Sequence, residues 1–329
     1  MPIAPDPDFA ARIYVESWSP EYGAPLDLSE ESEPAAPVHP EVETSDWRPI
    51  RGVDLNVASE VAFVDGVRRI EARITVDDPV DGPVPGIMAA FGVGAVQWQR
   101  DIPRSTFSDL SVERMVVMAR GYNADMSRLG NLRVSAESVP GDDPADLLSH
   151  LQRRMRAAEQ SLASGLISSG RLVVADGRNH EVGPRPIVGF VKTHQVMYLN
   201  GEHRSVIGEL RAGERTPLFL IDTRFVARYS WYLRLADLPW GHSWTGIVRC
   251  EVPTAVGVDT AVELADSTTA LLPTLASERH IDPRAPQNLV PISALERELR
   301  RRMGDRNLAH RALLGAVHGR RPVGVQGGS

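Results

Sequence analysis

Three carboxylates and one amine stand out in this chain for where they fall among the apolar residues. Asp65 follows Val61-Ala62-Phe63-Val64 and precedes Gly66. A carboxylate there projects from the end of an apolar strand beside a backbone with no side chain, so a cation or phosphate can approach closely. Asp-Gly is also the standard two-residue hairpin signal, and a plain turn explains Asp65 equally well. Asp176-Gly177 repeats the arrangement after Leu172-Val173-Val174-Ala175. If the two strands are parallel neighbours, both acids reach one sheet edge, where ligands bind in open sheets. Glu159 lies four residues after Met155 and three before Leu162, on or beside an apolar helical stripe. Burying an unpaired carboxylate is costly, so this residue meets a base, reaches solvent at the margin of the stripe, or binds metal. Lys192 is the single lysine beside 35 arginines, at the end of the apolar run Pro186–Val191. A compact ammonium there could position an attacking water or balance charge at a phosphate, and chance survival is the plain alternative.

Carboxylates delivered by two strand ends and an inward-facing helix suit hard divalent ions, which take oxygen ligands. Two such ions about 3.5–4 Å apart can activate water and steady the leaving oxygen during attack on a phosphodiester. His280 and Asp282, in ERHIDPRAPQN, are candidates for a further ligand, as is His310. A lone histidine is more often a hydrogen-bonding surface residue than a ligand. Cys250 is the only cysteine, which rules out an internal disulfide and a thiolate zinc site. FGVGAVQ lacks the third glycine of a dinucleotide loop, and no Walker A, HExxH or GxSxG sequence is present.

The elements that must position these residues read as mixed α/β. VAFVDGVRRIEARITV reads as a hairpin, and Val84–Trp98 as a third strand. Asp143-Pro144 signals a helix start, with Asp143 as N-cap and Asp146 in the first turn. That helix runs to about Ile167, with Leu148, Leu151, Met155, Leu162 and Leu166 on one face. RLVVAD, PIVGFV, PLFLID, WYLRL and GIVRCEV follow as strands. Two or three helices close the chain, the clearest being Ser293–Met303 with Ser293 and Glu296 in capping-box spacing.

The net charge of -7 is unevenly placed. Residues 1–46 hold eleven acids against Arg12 alone, so the remainder is weakly basic. Between Arg297 and Arg321 eight arginines stand against Glu298 and Asp305, a stretch that could contact phosphates or simply be a solvated face. The expected organisation is an acidic N-terminal arm or linker over 1–46, a main domain over 47–321 and a flexible tail over 322–329. Within the arm, ARIYVESWSPEYG alternates apolar and polar residues as a strand does, and Glu30–Val42 reads as an extended linker. No run approaches the ~20 apolar residues of a membrane span, and the N-terminus has no signal-peptide pattern, so a cytoplasmic location is expected.

FVDGVRRI, then a helix with an inward Glu159, then LVVADGR and GFVKTH, resembles in order and spacing the elements of the NurA nuclease family. The resemblance extends through the YLRL and VRCEVP strands to RAPQNLVPISALERELRRRMGD, covering most of the chain from about Ser59. It implies an RNase H-like α/β fold, a mixed sheet flanked by helices with an N-terminal arm and C-terminal helices. It further implies a manganese- or magnesium-dependent nuclease acting on DNA ends, a homodimer, and partnership with a hexameric HerA-type ATPase. Asp65, Glu159 and Asp176 fall on the positions that family uses for metal. Many members carry a histidine after a Pro-aromatic-Pro-Leu stretch near the C-terminus. That stretch is absent here, so the fourth site residue stays open, with Asp282 named ahead of His280. The competing reading is a non-catalytic adaptor that keeps the fold and docks or regulates the translocase.

Overall fold

The computed structural model describes residues 12–15, 36–52, 60–80, 82–102, 104–123, 128–129, 132–167, 171–178, 183–194, 196–223, 226–238 and 241–319. Trp18, Tyr22, residues 30–35 of the expected linker and the expected tail lie outside them. The strands are β1 (Arg12–Val15), β2 (Val38–His39), β3 (Ile50–Arg51), β4 (Glu60–Asp78), β5 (Gly82–Gln99), β6 (Thr106–Met118), β7 (Arg128–Leu129), β8 (Leu132–Arg133), β9 (Ser135–Ser138), β10 (Leu172–Asp176), β11 (Ile187–Val191), β12 (Glu214–Arg215), β13 (Phe219–Ile221), β14 (Arg228–Arg234) and β15 (Ile247–Pro253). The helices are α1 (Pro144–Ile167), α2 (Gly201–Glu209), α3 (Val258–Leu271), α4 (Val290–Arg302) and α5 (Arg306–Gly319).

One large mixed sheet runs in the order β2-β13-β14-β15-β11-β10-β4-β5-β6-β9. Its centre is the five strands β6-β5-β4-β10-β11, of which β5 alone runs against the other four. This is the RNase H-like arrangement, flanked by helices as expected. α1 packs Ala163 and Leu166 on Ala62, Val64, Val173 and Ile187 of one face. On the other face α4 sets Ile292, Leu295 and Leu299 against Val61, Phe63, Val174, Val188 and Phe190. Each fully buried Val, Leu, Ile or Phe side chain among them contributes about 1.5–3 kcal/mol. Gly94 leaves room for Leu110 of β6 and Leu295 of α4, since a Cβ there would overlap Leu110 and come to 3.3 Å from Leu295.

The expected hairpin over VAFVDGVRRIEARITV is instead the single 19-residue strand β4. Asp65 faces Gly94 and Gly66 faces Val93 in an unbroken ladder, and the reversal comes only after Asp78. The local Asp-Gly turn signal loses because β5 offers a partner along the whole length. Ile70, Ala72, Ile74 and Val76 moreover all bury against α1 and α5 side chains or β5 and β6. A bulge between Ile70 and Ala72 absorbs the change of register.

α1 begins as its sequence signals, with the Ala145 amide donating to Asp143 Oδ1 at 2.8 Å. α4 begins three residues earlier than expected, at Val290, with Pro291 in its first turn and Ser293 inside the helix. Ser293 therefore does not cap it. Tyr14 and its neighbours in β1 pair with the far end of β4, and Val38–His39 pairs with β13. Arg215, almost fully buried, ties Glu43 to Asp266 through hydrogen bonds of 2.8 Å to each. Among the described residues no helix is long and apolar enough to cross a membrane.

Candidate metal centre

Asp65 and Asp176 come together because β10 pairs with β4 in parallel, with Val174 opposite Phe63 and Ala175 opposite Val64. The next residue on each strand is the acid. Gly177, at φ 85°, turns the chain out of the sheet directly after Asp176, a conformation glycine adopts without strain. β10 thus ends where β4 continues, and β1 resumes the pairing only at Ile74, so this stretch of β4 has no strand on that side among the described residues. Both acids stand at the mouth of that gap.

Successive strand side chains point to opposite faces, so Asp65, Asp176 and the residue after Val191, Lys192, share the face of Phe63, Val174 and Phe190 that α4 covers. From α4 Glu296 joins them. One carboxylate oxygen each of Asp65, Asp176 and Glu296 lie within 4.8 Å of one another. Lys192 Nζ donates to Asp176 Oδ2 at 2.6 Å and to Asn288 Oδ1 at 2.8 Å. Glu159 comes from the opposite face, where it is half-buried. Its Oε1 occupies the space that a side chain on Gly66 would fill. Gln152, Met155, Arg156, Glu159 and Gln160 of α1 line a cleft with Asp65, Asp176 and Arg178. Glu159 therefore approaches the two strand acids from the α1 side without joining the tight group on the α4 side.

Asp65 is 93% buried, and its Oδ1 accepts from the Gly66 amide at 2.8 Å while its Oδ2 has no hydrogen-bond partner. A buried carboxylate oxygen without a donor is expensive unless a cation completes it. Burial pushes the Asp65 carboxyl well above its ordinary range. The Asp176 charge raises it further, Lys192 opposes, and Glu159 and Glu296 add to the rise. Glu159 is pushed up to about 8, by burial first and the Asp176 charge second, against Arg156. Burial would lower Lys192, but Asp176, Asp65 and Glu296 outweigh it and hold the ammonium above its ordinary range. The partnerless Asp65 oxygen, set in a group of carboxylates this close, fits a hard divalent cation.

Asp282, the expected fourth ligand, is instead spent on neighbours. Its carboxylate accepts from the Arg284 amide (2.8 Å), Arg284 Nε (3.1 Å) and Nη2 (2.9 Å), Asn288 Nδ2 (2.8 Å) and the Ser293 hydroxyl. Arg284 chiefly, with Ser293 and Asn288, holds that carboxyl far below its ordinary range against the effect of burial. Arg284 also grips both oxygens of Glu296, at 2.8 and 2.6 Å. Asp282 therefore orients Asn288 and Arg284, which in turn hold Lys192 and Glu296. His280 stands at the surface beside Glu278, 3.3 Å away and three-quarters exposed, and His310 lies on α5. Neither histidine belongs to the carboxylate group. Glu296 is the site residue that sequence reasoning passed over. An acid four residues after Ile292 and one after Leu295, on an apolar stripe, is the same signal that marked Glu159.

The fold and these side chains define an RNase H-like α/β protein with a carboxylate centre at an interior sheet edge. No protein-family model matches the chain, and no curated protein matches it in sequence. Among solved structures, the NurA nuclease from Sulfolobus solfataricus aligns with 70% of this chain and 77% of its own, at 12% identity and a TM-score of 0.41.

Proposed function

We propose that the protein is a divalent-metal-dependent nuclease that hydrolyses DNA phosphodiesters at Asp65, Asp176, Glu159 and Glu296. The observation that carries this reading is the buried Asp65 oxygen without a donor, set beside Asp176 where helices from both faces deliver further carboxylates. Bound there, manganese or magnesium would supply an activated water and positive charge at the scissile phosphate. Asp65 and Asp176 would hold the ion from the strands, with Glu159 closing it from α1 and Glu296 adding negative charge from the α4 side, where Arg284 grips it. Lys192 fixes one oxygen of Asp176 and brings positive charge to the phosphate side. Arg156 and Arg178 line the same cleft, where they would bind phosphate oxygens of the strand being cut. Following the resemblance described above, the chain would act on DNA ends as a cytoplasmic homodimer fed by a hexameric HerA-type ATPase.

Purified chain given linear duplex DNA with manganese tests the reading. The parent should degrade DNA, and folded Asp65→Ala and Asp176→Ala proteins should lose activity on the order of 100-fold or more. Parental rates in those variants would show that the carboxylates are not the reaction centre.

A further inference from the structure

The carboxylate centre has two sides, and on one of them a cation of the chain is fixed directly to a strand acid. On the α4 side, Lys192 Nζ is bonded to Asp176 Oδ2 and to Asn288 Oδ1. Asn288 is completely buried and is itself held by Asp282 and Ser293, so the ammonium is fixed in place. Arg284 occupies both oxygens of Glu296 on the same side. The α1 side differs. Its cleft is lined by Asp65, Asp176 and Glu159 together with Arg156 and Arg178, and without Lys192 or Glu296; Asp65 carries the oxygen that has no donor.

We infer that Lys192 stands in for a second metal ion, so that the centre takes a single divalent cation, on the Glu159 side. This rests on the metal-dependent reading above and replaces the two-ion arrangement expected from sequence. It also accounts for the one lysine among 35 arginines. An ammonium is a compact point charge that fits where an ion would sit, whereas a planar guanidinium does not. Three carboxylates within 4.8 Å of one another need positive charge to remain ionised together, and Lys192 supplies it permanently.

Ions bound per chain can be counted without DNA by titrating manganese and following the resonance of the free ion. The proteins are the parent, Lys192→Met, Glu159→Gln and Glu296→Gln, each checked for cooperative unfolding. The parent should bind one ion, and folded Lys192→Met should admit a second. Glu159→Gln should weaken the parental site by about tenfold or more, and Glu296→Gln by no more than about threefold. Two ions of similar affinity in the parent, or one ion in folded Lys192→Met, would overturn the inference. If Lys192→Met does not fold, the two glutamine variants decide, and a larger loss in Glu296→Gln sinks it. DNA degradation is a separate readout. A chain that binds one ion in this pattern yet cuts no DNA leaves the ion count standing and removes the nuclease reading.

Discussion

Replacing Gly66 by alanine should separate activity from stability. Gly66 sits inside β4 with an extended backbone, so alanine meets no conformational barrier there. Fewer accessible unfolded conformations would even favour the folded state by about 0.4–1 kcal/mol. The added methyl, however, falls well inside van der Waals contact with Glu159 Oε1 and at 3.0 Å from Met155 Cγ. The first obstacle is the far end of a flexible side chain in an open cleft, so it can yield. The carboxylate must then move by on the order of 1 Å, a misplacement that can cost about 100-fold in rate. The net stability change should stay within about 1 kcal/mol, since the backbone gain and the side-chain shift oppose each other. Chemical denaturation measures the first quantity, and manganese-dependent degradation of linear DNA measures the second. A folded Gly66→Ala protein with parental activity would refute the placement of Glu159 in the reaction centre. A Gly66→Ala protein destabilised by several kcal/mol would refute the packing described around it.

Three further outcomes follow from the same geometry. Glu159, with its folded value of about 8 above the ordinary 4.5, holds a proton at pH 7 that the unfolded chain releases. Stability of the metal-free protein should therefore fall as pH rises from about 4.5 to about 8, and manganese binding at pH 7 should release protons, seen as a buffer-dependent heat. Asp282→Asn should lower stability by about 1.5–3 kcal/mol, through lost charge-assisted hydrogen bonds, without abolishing manganese binding; abolition would restore Asp282 as a ligand. Arg215→Met strands Glu43 and Asp266 and should cost about 3–5 kcal/mol in denaturation, with cleavage unchanged per folded molecule.

Where a signal was local and nothing in the tertiary structure opposed it, the sequence could be read directly. Asp143 caps α1 and Pro144 opens it, and the five strands expected after α1 are present as β10, β11, β13, β14 and β15. The parallel pairing of β10 with β4 that would bring both acids to one edge is present, although only one of the two apolar runs ends at its Asp-Gly. Gly177 makes a turn at positive φ and Gly66 does not. Identical dipeptides took different conformations because β5 pairs with the whole of β4, and that pairing is invisible in the dipeptide. β6 carries little strand signal because its first half, TFSDLSVE, is polar and mostly exposed at the sheet edge, and only Met115–Met118 bury. Glu296 was missed because its spacing from Ser293 suggested a capping box. Ser293 instead spends its hydroxyl on Asp282.

The centre could not have been assembled from the acids alone, because the sheet separates the faces from which they come. Alternation sends Asp65 toward α4, and a carboxylate from α1 would ordinarily meet the backs of the strands. Two features remove that barrier. β10 stops at Asp176, leaving β4 open on one side until β1 resumes the pairing at Ile74, and Gly66 offers no Cβ at the point where Glu159 arrives. The position of Gly66 can be read from the sequence. Where one strand stops against another is a matter of register, settled by burial of Val173, Val174, Ala62 and Phe63 in the paired region. Shifting β10 by two residues would keep each side chain on its face but set Val174 opposite Asp65 or Val173 opposite Glu60, and would carry Asp176 about 7 Å along β4, away from Asp65. The chemistry therefore depends on a register that the apolar pairing of β10 with β4 selects, while the charge pairing of Asp176 with Lys192 sets the end of β10 against the end of β11.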